Sequence, residues 1–241
     1  MRSSCTTRKP PTTTPADTIR TVPARSPAAV LWDFDGTLAD TEPSWFAAEY
    51  ALAADHGASW TDEDARELVG SELLETGRYI RRRMGLDRSP AEIVEVLLDA
   101  VIADVRRGVT WRPGAYELLA ALREAGVPCA LVTMSYARLA EAALEQLPPA
   151  SFDTVVTGDA VAYGKPHPEA YLTAAVRLGV EPSKCVAIED SPTGSASAAA
   201  AGAHVLVVPH HVPVPSRPGM TQRSSLVGVG VADLAALFDT R

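Results

Sequence analysis

The sequence predicts an α/β protein in which a Rossmann-like parallel sheet forms the core and an all-helical cap is inserted after the first strand. Two observations predict the sheet. Five short apolar runs of strand length recur along the chain, and amphipathic helical patterns separate the later ones. Strands of this kind, alternating with helices, are typical of a parallel sheet covered on both faces. A third observation predicts the insertion, because the chain from Leu38 to Trp111 carries no strand signal.

The apolar runs and the helical patterns alternate through the second half of the chain. The runs cover residues 28–34, 127–133, 153–156, 184–189 and 203–208. The helical patterns cover residues 113–125, 168–178 and 192–202. The first and last of these begin with Pro113 and Pro192 and end at Gly126 and Gly202. Proline at a helix start and glycine just past its end are the residues expected there.

The segment that follows the first strand contains only helical signals. The stretches 61–64 (TDED) and 89–92 (SPAE) both match a capping box, and apolar residues at helical spacing follow the second. A crossover between parallel strands does not need a segment of this length. The sequence therefore predicts a core of residues 28–41 and 111–241, with a helical cap at 42–110.

Residues 1–27 differ from the rest of the chain in composition. They are rich in Thr, Pro, Ser and Arg and show no apolar periodicity. Such a segment cannot bury enough apolar surface to pack a core, and we predict a disordered tail. It also lacks the apolar stretch of a secretory signal.

Composition and charge exclude several kinds of partner. The net charge of −8 opposes a nucleic-acid-binding role, which requires a basic face. No apolar run approaches the roughly 20 residues of a membrane span. Cys5, Cys129 and Cys185 are too few for a disulfide framework and are typical of free thiols in a reducing compartment. We expect a cytoplasmic protein without nucleic-acid or membrane partners. For the oligomeric state, which the sequence does not determine, we expect a monomer or a weak homodimer.

Four of the five apolar runs end in polar residues, and the carboxyl ends of parallel strands are where ligands bind in such sheets. The residues expected to meet there are Asp33, Asp35, Thr133, Lys165, Glu189 and Asp190. Carboxylates crowded together repel one another, and a divalent cation would remove the repulsion. Mg²⁺ prefers hard oxygen ligands and is often completed by a substrate phosphate. A hydroxyl and an ammonium at the same edge suit phosphate oxygens. The pattern predicts Mg²⁺ together with a phosphoryl group.

The same segments resemble the motifs of the haloacid dehalogenase superfamily of phosphotransferases. The stretch 33–37 (DFDGT) is similar to its first motif, and Thr133 at the end of ALVT to the second. Lys165 in GKPHP is similar to the third and the stretch 188–194 (IEDSPTG) to the fourth. The helical insertion resembles the small cap of the subgroup that holds beta-phosphoglucomutase and many sugar-phosphate phosphatases. The resemblance covers residues 28 to 208.

The resemblance implies a role for each motif residue. Asp33 would be the nucleophile that forms an aspartyl-phosphate, and Asp35 the general acid/base, whose main-chain carbonyl also binds metal. Thr133 and Lys165 would bind the phosphoryl oxygens. The metal ligands would be Asp33, Asp35, Glu189 and Asp190. The function implied is Mg²⁺-dependent hydrolysis of a small phosphorylated metabolite, most simply a sugar phosphate.

Three alternatives stay open on the sequence. A phosphomutase would share the chemistry at Asp33 and differ in the acceptor, and a non-catalytic metabolite-binding protein could use the same fold. Asp190 alone could be only the N-cap of the helix that begins at Pro192.

The pair His210-His211 is suited to metal, but no third ligand is near it in the sequence, so we interpret both as loop residues. The aromatic residues Trp45, Phe46 and Tyr50, at helical spacing, are interpreted as core of the cap rather than as a stacking platform.

Overall fold

The computed structural model describes residues 26–239. The predicted tail at 1–27 therefore lies almost wholly outside the described residues. Within this range six strands form one parallel sheet in the order β3-β2-β1-β4-β5-β6. The strands are β1 (Ala29–Trp32), β2 (Cys129–Val132), β3 (Thr154–Val156), β4 (Cys185–Glu189), β5 (His204–Val207) and β6 (Met220–Gln222). The α/β fold class predicted from the sequence is confirmed.

Nine α-helices connect and cover these strands in the described part of the chain. Four of them follow β1: α1 (Glu42–Asp55), α2 (Asp62–Glu67), α3 (Leu73–Met84) and α4 (Pro90–Arg107). The others are α5 (Ala115–Glu124), α6 (Ala137–Leu144), α7 (Glu169–Leu178), α8 (Pro192–Ala200) and α9 (Val231–Ala236).

The two faces of the sheet are buried in two separate apolar clusters. Successive side chains of a strand point to opposite faces. Val30 and Trp32 accordingly pack in a cluster with the helices of one side, and Ala29 and Leu31 pack with α7 and α8 on the other. Every residue of β1 is buried. This explains why the strands read as continuous apolar runs rather than as alternating ones.

The sequence did not reveal three of the elements. The strand β6 has the sequence Met220-Thr221-Gln222, which is too short and too polar to give a strand signal. It forms because its backbone pairs with the edge of β5, from Val205 to Val207. Helices α6 and α9 are also short, at eight and six residues, and were likewise not anticipated.

The segment between β1 and α5 is helical, as predicted. Both predicted capping boxes are present, with Thr61 and Ser89 as N-caps of α2 and α4. Helix α4 packs on α6, which follows β2. Arg138 of α6 forms ion pairs there with Glu95 and Asp99 of α4. The division into a core and a cap remains a prediction, drawn from this arrangement.

Strand order determines where a ligand can bind. Strand β1 lies between β2 and β4, so that Val30 pairs with Cys129 on one side and with Val186 on the other. Connections leave this central position toward opposite edges of the sheet. Such a switch point opens a crevice at the carboxyl ends of the strands. None of the helices in residues 26–239 is both long and apolar enough to cross a membrane.

Gly77 lets α3 approach the start of α4 closely. A Cβ at this position would overlap the carbonyl oxygen of Pro90, the first residue of α4. We expect Gly77→Ala to lower the free energy of unfolding by about 1–3 kcal/mol, although alanine is the better helix former. Urea denaturation measures the change.

Arg82→Ala in the same helix is the matched control, because Arg82 is exposed and the substitution should leave stability nearly unchanged. Equal stability of Gly77→Ala and the wild type would contradict the close packing of α3 on α4.

Candidate active site

The six residues that the sequence predicted for the site lie together at the carboxyl ends of the strands. Asp33 follows β1, Thr133 follows β2, Glu189 is the last residue of β4, and Asp190 follows it. The backbone N–H of Asp33 donates to the carbonyl of Ile188 at 3.0 Å, which fixes the end of β1 against β4. The position of these residues therefore follows from sheet register rather than from local loop structure.

Lys165 connects two of the carboxylates. Its Nζ lies 2.6 Å from Oδ1 of Asp33 and 2.6 Å from Oε1 of Glu189, and it also donates to the carbonyl of Val132 at 2.9 Å. The side chain of Lys165 is only 4% exposed and that of Glu189 is 0% exposed. Charge-assisted hydrogen bonds of this kind offset the cost of burying an ammonium group.

The pKa values of the buried carboxyl groups show that one ammonium does not compensate them all. Burial, with the charge of Glu189, raises the pKa of Asp33 to about 7 although Lys165 acts in the opposite direction. Burial and the charges of Asp33 and Glu189 raise the pKa of Asp190 well above its ordinary value. Oxygen atoms of Asp33, Glu189 and Asp190 lie within 4.8 Å of one another. Such a cluster fits a hard divalent cation.

Asp35 is held by four side-chain donors. Thr41 donates to its Oδ1 at 2.6 Å, and the indole N–H of Trp45 lies 3.4 Å from the same atom. Ser135 and Thr133 donate to Oδ2 at 2.7 and 3.1 Å. These bonds orient the carboxylate, as the position of a proton-transferring group requires.

Thr133, which was predicted to bind the phosphoryl group, lies beneath the surface of the cleft. The side chain of Thr133 is fully buried, and its hydroxyl is used between Asp35 and the backbone N–H of Ser135. The hydroxyl that reaches the open cleft is that of Ser135. From the sequence, Ser135 could equally be a phosphate-binding residue or a turn residue, because nothing local distinguishes the two hydroxyls.

Asp190 is not the N-cap of α8. The hydroxyl of Ser191 accepts the capping hydrogen bond from the N–H of Gly194, and Asp190 instead accepts from Thr37 at 3.1 Å. Gly36 lies beside it with a φ of +83°, and a Cβ there would overlap Oδ2 of Asp190. Glycine is therefore required for both the turn and the close approach.

A cleft of about 740 Å³ opens in front of these groups, between the strand ends and the helices that follow β1. Trp45 and Phe46 line it. Trp45 also packs against the apolar core, as interpreted, but the core interpretation was wrong for Phe46, which lies in neither apolar cluster, and for Tyr50, which is exposed. The cleft is also lined by Glu42, Glu49, Leu68, Val69, Gly70, Ser71, Leu73 and Thr76. Two buried carboxyl groups, Glu42 and Glu49, were missed because their helix has no clear apolar face to mark them as inward.

Comparisons with known proteins show the family of the chain. The family model for haloacid dehalogenase-like hydrolases matches residues 27–202, well over half of the chain. Hexitol phosphatase A of Escherichia coli is 35% identical over 178 residues, which cover 74% of this chain and 81% of that protein.

Two solved structures share the fold. A crystal structure of a CbbY variant from Rhodobacter sphaeroides in complex with xylulose 1,5-bisphosphate has a TM-score of 0.78 and 29% identity, and the match covers 86% of this chain and 99% of that one. A beta-phosphoglucomutase from Clostridium difficile has a TM-score of 0.73 at 19% identity, over 88% of this chain and 97% of that one. The resemblance of the four motifs is thus confirmed, and the chain is an enzyme that belongs to the haloacid dehalogenase-like hydrolase family.

Proposed function

We propose that the enzyme is a Mg²⁺-dependent phosphomonoester hydrolase that acts on a small phosphorylated metabolite, in particular a sugar phosphate. The observation that carries the proposal is the buried group of Asp33, Lys165, Glu189 and Asp190 at the floor of the cleft. A carboxylate nucleophile, an ammonium group and a cation site within a few ångströms of one another suit phosphoryl transfer. Relatives named for the hydrolysis or binding of sugar-derived phosphates support the substrate class.

The residues of the cluster fit Mg²⁺. The donors are carboxylate oxygens, and burial together with neighbouring negative charge raises the pKa values of Asp33 and Asp190. Asp33, Asp190 and the main-chain carbonyl of Asp35 would hold the ion. Glu189 accepts hydrogen bonds from Lys165, Tyr171 and Ser191, so its main task is to position the ammonium group beside the metal. Bound there, Mg²⁺ would offset charge on the phosphoryl oxygens.

The reaction uses Asp33 and Asp35 in turn. A carboxylate oxygen of Asp33 attacks phosphorus, and the bond from phosphorus to the leaving oxygen breaks as Asp35 gives that oxygen a proton. A water molecule then attacks the aspartyl-phosphate while Asp35 takes its proton. This second step releases phosphate and restores the Asp33 carboxylate. Lys165 and the hydroxyl of Ser135 stabilise the charge that spreads over the phosphoryl oxygens.

The walls of the cleft suit a polar organic group on an otherwise apolar surface. Leu68, Val69 and Leu73 provide apolar contacts, and Trp45 lies over Asp35. Glu49 is the polar group in this wall. Burial raises its pKa to about 8, which leaves a neutral carboxylic acid at pH 7, and Trp60 donates to its Oε2 at 3.1 Å. A neutral acid both donates to and accepts from a sugar hydroxyl.

Replacement of the nucleophile tests the proposal first. We expect Asp33→Asn to reduce phosphate release by at least about a thousandfold while the protein remains folded. The assay measures phosphate from sugar phosphates, phosphoglycolate and nucleoside monophosphates, with Mg²⁺ and with EDTA.

Asp87→Asn, at an exposed position, is the matched control and should keep full activity. Turnover by Asp33→Asn, or equal turnover in EDTA, would refute the proposed chemistry. An aspartyl-phosphate that is discharged by a sugar hydroxyl and not by water would instead establish a phosphomutase.

Lys165 is expected to affect both stability and activity. Lys165→Met leaves Asp33 and Glu189 buried without their cation, which should lower the free energy of unfolding by about 3–5 kcal/mol at neutral pH. Activity should fall about 100-fold or more, since a cation at the phosphoryl group is lost. Mg²⁺ should restore part of the stability, as measured by urea denaturation with and without the ion.

The control is Lys184→Met, because Lys184 is exposed and forms only a surface ion pair with Glu181. If Lys165→Met and Lys184→Met were equally stable without metal, Lys165 would not be the compensating charge.

Glu49 should make the protein less stable as the pH rises. Its pKa is raised, so the folded protein keeps the proton up to about pH 8, whereas the unfolded chain releases it near 4.5. Stability from this group is therefore full below about pH 4 and is lost as pH approaches 8. Glu49→Gln should reduce this pH-dependent loss in the free energy of unfolding by roughly 2–4 kcal/mol. Urea denaturation at about pH 5 and pH 8 measures it.

Glu63→Gln, an exposed change in the same part of the chain, should leave the pH dependence as it is. The same Glu49→Gln protein should bind sugar phosphates more weakly but keep its KM for p-nitrophenyl phosphate, which has no hydroxyl groups. An unchanged pH dependence would show that Glu49 is ionised in the folded protein.

A further inference from the structure

A second group of metal-ligating side chains lies outside the cluster of Asp33, Glu189 and Asp190. Asp40 and Glu42 precede and begin α1, and His210 and His211 follow β5. One ligand atom from each of the four residues lies within 4.8 Å of the others. The sequence separates Asp40 from His211 by 171 positions, so only the fold brings them together.

The distances within this group match those between the ligands of a tetrahedral ion. Nε2 of His210 lies 3.1 Å from Oδ1 of Asp40, and Nε2 of His211 lies 3.5 Å from the same atom. Nε2 of His211 is also 3.6 Å from Oε2 of Glu42. Zinc bonds of about 2.0–2.1 Å place tetrahedral ligands about 3.3 Å apart. Small movements would bring all four atoms to one ion.

The carboxyl group of Glu42 gives independent support for a ligand at this place. Its side chain is only 7% exposed, and Oε2 accepts no hydrogen bond from any residue in the range 26–239. A buried carboxylate oxygen without a donor is costly. This oxygen faces His211, whereas Oε1 lies on the side of Gly36 and Asp190. A cation between Glu42 and the histidines would satisfy it.

The chemistry of the donors selects the ion. Two imidazoles favour Zn²⁺ or a similar first-row divalent ion over Mg²⁺, which prefers oxygen ligands. Two carboxylates and two neutral imidazoles balance the charge of such an ion. The nearest competing cation is Arg112, whose Nη1 lies 3.5 Å from Nε2 of His210. That contact is at the limit of hydrogen-bond length and is weak enough to be displaced.

We propose that Asp40, Glu42, His210 and His211 form a second metal site, for Zn²⁺ or a similar first-row divalent ion, that ties the start of α1 to the chain after β5. Helix α1 carries Trp45, which contacts Asp35, and Phe46, whose ring lies 6.2 Å from that of His211. The bound ion would therefore fix the helix that forms one wall of the cleft. The site does not depend on the proposed phosphatase reaction.

The test is metal binding to the untagged full-length chain in excess Mg²⁺, which occupies the other cluster. Titration with Co²⁺ reports the site directly, because tetrahedral Co²⁺ has intense visible absorption bands. We expect one equivalent of Co²⁺ to give these bands and Zn²⁺ to displace it. His210→Ala and His211→Ala should each lose the bands and weaken Zn²⁺ binding at least about tenfold.

His56→Ala is the matched control, since His56 is exposed elsewhere on the helical segment, and Asp190→Asn is the control for the first cluster. Both should keep the bands. Circular dichroism checks that every variant is folded. The proposal is overturned if the wild type shows no tetrahedral bands, if His210→Ala and His211→Ala keep them, or if Asp190→Asn alone removes them.

Discussion

Lys165 lies between Asp33 and Glu189 in a place from which water is excluded, and the rest of the site depends on this compensation of charge. Three carboxylates meet there because the ends of β1 and β4 lie side by side at the switch point of the sheet. One ammonium does not balance three carboxylates, and burial together with the neighbouring negative charges raises the pKa values of Asp33 and Asp190. This arrangement of charge supports the proposed binding of a cation and a phosphoryl group.

The two aspartates that follow β1 have different surroundings. Asp35 is surrounded by hydroxyl and indole donors and faces the cleft, whereas Asp33 is surrounded by charges and lies deeper. Two aspartates only two positions apart thus have opposite environments, because the chain turns at Gly36 directly after them. Different environments for neighbouring carboxyl groups are what separates a nucleophile from a proton carrier.

The helices that follow β1 line the cleft, and both apolar packing and ion pairs attach them to the sheet side. Helix α4 is joined to α6 through the ion pairs of Arg138, and α1 begins at the cluster of Asp40, Glu42, His210 and His211. A metal at that cluster would hold the first turn of α1 at a fixed distance from β5. The strength of this attachment would then influence how closely the apolar wall covers a substrate.

The sequence by itself determined the parallel α/β fold, five of the six strands, both capping boxes and the residues that meet at the strand ends. It could do so because periodicity, caps and strand-end polarity are local signals, and parallel topology brings strand ends together. It could not reveal β6, which forms by pairing with an edge, or that the hydroxyl of Ser135 and not that of Thr133 reaches the cleft. It also misjudged Phe46 and did not foresee that His210 and His211 would lie beside Asp40 and Glu42. Their surroundings come from chain segments distant in sequence, and only the tertiary structure decides which of those segments meet.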